Sequence, residues 1–161
     1  MHATSGLRAF FLLARLSSGL GDRCRYPAKL MQNITNAFEL LESLLTGSKV
    51  SVRVDCGNYE TVHILRASNG AFDVSDRGET VSYLSPENAD DYRIADEAGR
   101  DQIGSICEKH NVEFRDANAD DPDSEPLHTI GCWSIGEGDI ADAVQRISEC
   151  IDEVFEAFNL H

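Results

Sequence analysis

The hydrophobic positions of this chain change period along its length, and each change marks an element. Phe38, Leu41, Leu44 and Leu45 recur at helical spacing behind Thr35 or Asn36, either of which can cap a helix, and Gly47 supplies the stop. The period then falls to two. Val50, Val52 and Val54 alternate with Ser51, Arg53 and Asp55, which predicts a half-buried strand. Gly57-Asn58 turns the chain, Glu60 to Arg66 returns, Ser68-Asn69-Gly70 turns it again, and Ala71 to Ser75 makes a third strand. Thr80 to Leu84 reads as a helical turn closed by Ser85-Pro86, and Ile103, Ile106 and Cys107 belong to a helix near 97–110. Val112 to Phe114 and Leu127 to Ser134 are two more strands, separated by a polar stretch with two prolines. The last helix is the clearest, with Ile140, Val144, Ile147, Ile151, Val154, Phe155 and Phe158 on one broad stripe. The order α-β-β-β-α-β-β-α predicts an α+β domain: an antiparallel meander sheet packed against an N-terminal helix, a middle helix and a long C-terminal helix.

Charge divides the chain. Its 161 residues carry a formal net charge of −14. Residues 1–30 hold Arg8, Arg15, Arg23, Arg25 and Lys29 against the single acid Asp22, a net of +4. The remainder holds 9 basic and 27 acidic residues, a net of −18. This seam predicts a basic extension over 1–30, with at most a short helix near 6–16, and a single acidic domain over 31–161 for which Met31 reads as the start. The run Ala9 to Ala14 is too short to span a membrane, and Arg15 breaks its continuation. Five cysteines, an odd number with no tight spacing, read as reduced and mostly buried thiols in a cytoplasmic protein.

So acidic a surface repels phosphate backbones, which argues against direct nucleic-acid binding and leaves a basic protein as the favoured partner. The acids concentrate in two segments: Asp90, Asp91, Asp96 and Glu97 before the middle helix, and Asp116, Asp120, Asp121, Asp123 and Glu125 in the loop between the last two strands.

Two constellations have the residue types for metal chemistry. Cys107-x2-His110 on a helix and His128-x3-Cys132 on a strand would each put two ligands on one face, a Cys2His2 set of the kind zinc takes. Against it, Cys107 falls on the apolar stripe of its helix, where a buried thiol needs no metal. The second is the turn Asp73, Asp76, Gly78 and Glu79, whose carboxylates lack the alternate spacing of a calcium loop. It reads instead as a tight turn in which Asp76 caps backbone amides, Asp73 faces solvent and Gly78 takes positive φ. No nucleophile elbow or phosphate loop is present, and no residue reads as catalytic. His63 reads as a structural histidine of the second strand, and Trp133 as a core anchor or an interface residue.

The stretch from His63 to Arg66 and on through Phe72-Asp73-Val74-Ser75-Asp76-Arg77-Gly78-Glu79-Thr80 resembles a domain-of-unknown-function family of small bacterial and phage proteins with a Ser-Asp-x-Gly-x-Thr motif. Ile103, Ile106 and Val112-Glu113-Phe114 are similar to that family's helix and following short strand, so the resemblance covers roughly residues 48–158. It implies a cytoplasmic protein of mixed α/β structure and no catalytic residues.

Together these readings predict a non-enzymatic interaction protein that binds a basic, nucleic-acid-binding partner, in its sharpest form a DNA-mimicking inhibitor of the antirestriction or anti-CRISPR kind. The alternative is a metal-dependent enzyme or zinc-binding domain. A homodimer through Trp133 or the last helix is compatible with both.

Overall fold

In a computed structural model, the structure describes residues 27–43, 51–57, 60–67, 69–84 and 97–158. The expected helix near 6–16, Leu44, Leu45, Gly47 and the acids Asp90, Asp91 and Asp96 lie outside them. The chain is an α+β domain built on a five-stranded antiparallel sheet. In chain order it runs α1 (Ala28–Ser43), β1 (Val52–Gly57), β2 (Glu60–Arg66), β3 (Phe72–Ser75), α2 (Glu79–Leu84), α3 (Glu97–Lys109), β4 (Glu113–Asp116), β5 (His128–Ile135) and α4 (Ile140–Ala157). The strands lie in the order β1-β2-β3-β5-β4, so β5 inserts between β3 and β4.

Register decides the faces. Val52 pairs with Ile64, Val54 with Val62, Ile64 with Val74 and Val74 with Cys132, which stacks the apolar residues of four strands on one side. Here α4 crosses β1, β2, β3 and β5, and its Val144, Ile147 and Val154 are fully buried. Burying each such side chain stabilises the fold by roughly 1.5–3 kcal/mol, which makes α4 the main core element. From the other end, α1 adds Phe38 against Phe72, with ring centroids 5.6 Å apart. The outer side of the sheet carries the polar row Arg53, His63, Ser75, Gly131 and Glu113.

Several boundaries differ from the expected ones. Helix α1 begins at Ala28 behind Pro27, whose carbonyl accepts the Met31 amide, and Leu30 is already in the core. Thr35 is therefore an interior residue, buried, with its hydroxyl donating to the Met31 carbonyl. A fixed φ suits proline to the entrance of a helix, and that signal outranks the cap at Thr35. Asp116, expected in the loop, is the last residue of β4 and pairs with His128.

One position in the sheet admits only glycine. A Cβ on Gly131 would lie 2.7 Å from the Val74 carbonyl, 2.8 Å from Ser75 Cβ and 3.0 Å from the Trp133 ring. Trp133 therefore lies over Gly131 on the outer face, and the Arg115 guanidinium stacks on it, 3.6 Å from the ring centroid. Gly131→Ala must push β3 away from β5 and is expected to cost about 1–3 kcal/mol, read from urea unfolding. A change below about 0.5 kcal/mol, within the range of an ordinary surface substitution, would refute the close approach.

Candidate functional site

The Ser75 to Thr80 turn is where sequence and structure meet most closely. Asp76 follows β3 and is 1% exposed. Its Oδ1 accepts the amides of Gly78 and Ile130, both at 2.9 Å, and its Oδ2 accepts the Thr80 amide at 3.1 Å. Its own amide donates to the Ile130 carbonyl, so Asp76 prolongs the β3–β5 pairing by one residue while capping α2. Burial pushes the Asp76 pKa up, and the Thr80 hydroxyl and the three amides oppose that rise. Between these amides the chain turns through two left-handed residues, Arg77 at φ 54° and Gly78 at φ 77°. A side chain on Gly78 would also meet Leu127 Cδ1 at 2.7 Å.

This turn delivers Arg77 and Glu79 to the outer face. Glu79 Oε1 is 2.9 Å from His63 Nε2, and Glu79 Oε2 accepts the Thr61 hydroxyl at 2.7 Å. The other ring nitrogen, His63 Nδ1, faces Ser51 Oγ at 3.5 Å, and Arg77 donates to the same Oγ at 2.9 Å. Partial burial alone would raise the Glu79 pKa, but the Thr61 hydroxyl and His63 outweigh it and hold the carboxyl below its ordinary value. Glu79 is thus a carboxylate at neutral pH. The two strands set the spacing: β1–β2 pairing puts Arg53 opposite His63, and Ser51 lies two residues before Arg53 on the same face.

Asp73, expected to face solvent, lies half-buried on the outer face of β3 and also takes a structural role. Its Oδ1 accepts the amide of Ser134, a left-handed residue at φ 56° beside the β3–β5 irregularity, so it stabilises a bulge.

The four residues expected to hold zinc are not brought together. Cys107 lies in the core with its thiol 3.6 Å from Cys150 Sγ. His110 turns the other way, and its Nε2 meets Glu153 Oε2 at 2.8 Å, beside Lys109 on the same carboxylate. His128 stacks on Phe114 in an open groove between α3 and β4. Cys132 packs under the sheet, opposite Val74. Among the described residues no group of three or more His, Cys, Asp or Glu side chains is placed to hold a metal ion. The apolar stripe of α3 sends Cys107 inward, and the helix ends at Lys109, so His110 follows in the turn beyond it.

The acidic loop between β4 and β5 uses some of its carboxylates on itself. Asp116 Oδ1 accepts the amides of Asn118 and Leu127 at 2.9 and 2.8 Å, and Asp121 accepts the Ser124 hydroxyl at 2.7 Å and the Asp123 amide at 3.1 Å. These bonds hold both pKa values below the ordinary range: the Asn118 and Leu127 amides for Asp116, and the Ser124 hydroxyl followed by the Asp123 amide for Asp121. Asp120, Asp123 and Glu125 are exposed. Glu97 opens α3.

Glu60 went unread in the sequence. It is 3% exposed, its Oε2 accepts the Ser148 hydroxyl, and its Oε1 is buried with no donor. Burial, then the neighbouring Asp152, pushes its pKa up to about 8. The alternation of β2 puts Glu60 on the core face with Val62 and Ile64, but nothing local in the sequence shows what accepts a carboxyl there.

No protein-family model matches this sequence, and neither the curated proteins nor the solved structures contain a match.

The raised Glu60 pKa links folding to proton uptake. A carboxyl that holds its proton more tightly when folded contributes its full stability below the unfolded value, near 4.5, and loses it as pH rises through about 8. Urea unfolding should therefore weaken between pH 5 and 9, by at most about 1.4 kcal/mol per pH unit for one proton, and Glu60→Gln should flatten that slope. Equal slopes for the two proteins would exclude a protonated Glu60.

Proposed function

We propose that this chain is an interaction protein that docks on a basic protein surface through its charge. What supports this most is the β4–β5 loop. Asp116 and Asp121 are spent holding its shape, and Asp120, Asp123 and Glu125 stand outward from a backbone already pinned. A pre-ordered loop loses little entropy on docking, so its charge is available to the partner. Charge favours the same reading at larger scale, since −18 over residues 31–161 attracts cationic surfaces and repels phosphate.

In its sharpest form the partner is a nucleic-acid-binding protein, and the acidic surface occupies the site that would take phosphates. The resemblance to small bacterial and phage proteins is part of this proposal, as is a cytoplasmic setting with reduced cysteines. Among the described residues no helix is long and apolar enough to cross a membrane. Zinc-dependent chemistry has no observation in its favour, because the four candidate ligands point to different surroundings.

A triple neutralisation, Asp120→Asn, Asp123→Asn and Glu125→Gln, tests the loop. The native chain, immobilised at low salt, should retain a basic partner that is released on raising the salt several-fold. The triple variant should lose about tenfold in affinity for that partner with an unchanged melting temperature, since screening acts on exposed charge pairs. Equal retention by the native chain and the variant would remove the loop from the interface.

A further inference from the structure

The hydrogen bonds around His63 run in one direction. Thr61 donates to Glu79 Oε2, and His63 Nε2 donates to Glu79 Oε1 at 2.9 Å. A carboxylate accepts only, so Glu79 fixes the imidazole proton on Nε2 and leaves Nδ1 as a lone pair. That lone pair faces Ser51 Oγ at 3.5 Å. Arg77, a donor only, already fills one lone pair of Oγ at 2.9 Å, which leaves the hydroxyl proton free to turn toward Nδ1. The result is a hydroxyl, a base and an orienting carboxylate in order, with a guanidinium at the oxygen. A nucleophile–base contact of this length is common before a substrate tightens it.

The setting is accessible. The side chain of His63 is 13% exposed and that of Glu79 is 53% exposed, on the outer side of the sheet and away from the core under α4. Ser51 is half-buried, and Arg53 and Arg77 are exposed beside it. Among the described residues neither arginine has a carboxylate within ion-pair distance, and Arg53 acts on Glu79 from further off, helping to lower its pKa. The Arg77 guanidinium at the hydroxyl, with Arg53 on the neighbouring strand position, suits an oxygen that acquires negative charge.

We propose that Ser51, His63 and Glu79 form an acyl-transfer site that cleaves small carboxylic esters, with Arg77 facing the oxyanion. The Ser51 Oγ–H bond breaks as the new Oγ–C bond forms at the acyl carbon, and the proton passes to His63 Nδ1. The carbonyl electron pair moves to oxygen beside Arg77. When the carbonyl reforms, the bond to the leaving alkoxide breaks, and His63 returns the proton to that alkoxide as the alcohol departs. Water then attacks the acyl group, gives a proton to His63, and the same steps in reverse order release the carboxylic acid and restore the Ser51 hydroxyl. Ser51 and His63 are the catalytic residues. Glu79 and Thr61 are positioning residues that act through the imidazole. The site is independent of the acidic loop, so either proposal can fail alone.

The test uses the full chain with a fluorophosphonate probe and, separately, p-nitrophenyl acetate. The expected result is one probe adduct mapped to Ser51 and a burst of p-nitrophenol followed by slower turnover. Ser51→Ala should lose the adduct and at least about 100-fold of the turnover at an unchanged melting temperature. Glu79→Gln should lower kcat by about tenfold or more with KM nearly unchanged, a split that a merely structural role would not give. If Ser51→Ala folds poorly, the adduct on the native chain decides. No adduct at Ser51, or hydrolysis by a folded Ser51→Ala at the native rate, would overturn the proposal.

Discussion

The side chain of Asp76 does three jobs at once. It accepts the amides of Gly78, Thr80 and Ile130, so one buried side chain shapes a turn, caps α2 and locks β3 to β5. Burying a polar group is costly unless it is hydrogen-bonded, and a carboxyl group in the core persists only when donors surround it. Here the donors are the backbone amides of the turn, of the first turn of α2 and of β5, and removing the acceptor takes this partner from all three. The left-handed Arg77 and Gly78 are tolerated because this network determines the turn from both sides.

What the turn holds explains why it is built this way. A tight turn alone could be made of Asn and Gly. This one projects Arg77 toward Ser51 and Glu79 toward His63, joining the edge strand β1, its neighbour β2 and the start of α2 on the outer face. The helical side of the sheet meanwhile carries the apolar core, and the acidic loop extends from the far edge at β4. The chain thus separates its stability, its charge and its polar relay onto different parts of one sheet.

Period and punctuation made most of the fold legible. The alternation of Val52 and Val54 and the stripe from Ile140 to Val154 each report one face of one element, and a local pattern is sufficient for that. Boundaries set by competition were harder, as at α1, where Pro27 outranks Thr35. The site was legible only in its turn. Asp76, Gly78 and Glu79 stand together in the chain, whereas Ser51, Thr61 and His63 join them through strand register, which no spacing reveals. The expected zinc set failed for the converse reason: Cys107 and His110 are close in the chain, one within α3 and one just past its end, but do not share an environment. Glu60 was hidden because its partners Ser148 and Asp152 lie on α4, far along the chain.

Amide hydrogen exchange on the native chain and on Asp76→Ala reads the hold of this carboxyl group on its three donors. The Gly78, Thr80 and Ile130 amides should be protected in the native protein, and Asp76→Ala should cost about 3 kcal/mol or more, because up to three buried donors lose their acceptor. Those three amides should then exchange fastest relative to native, while the Val144 amide in α4 follows only the global loss. Retained protection at all three positions with a stability change below about 0.5 kcal/mol, the range of an ordinary surface substitution, would contradict that hold.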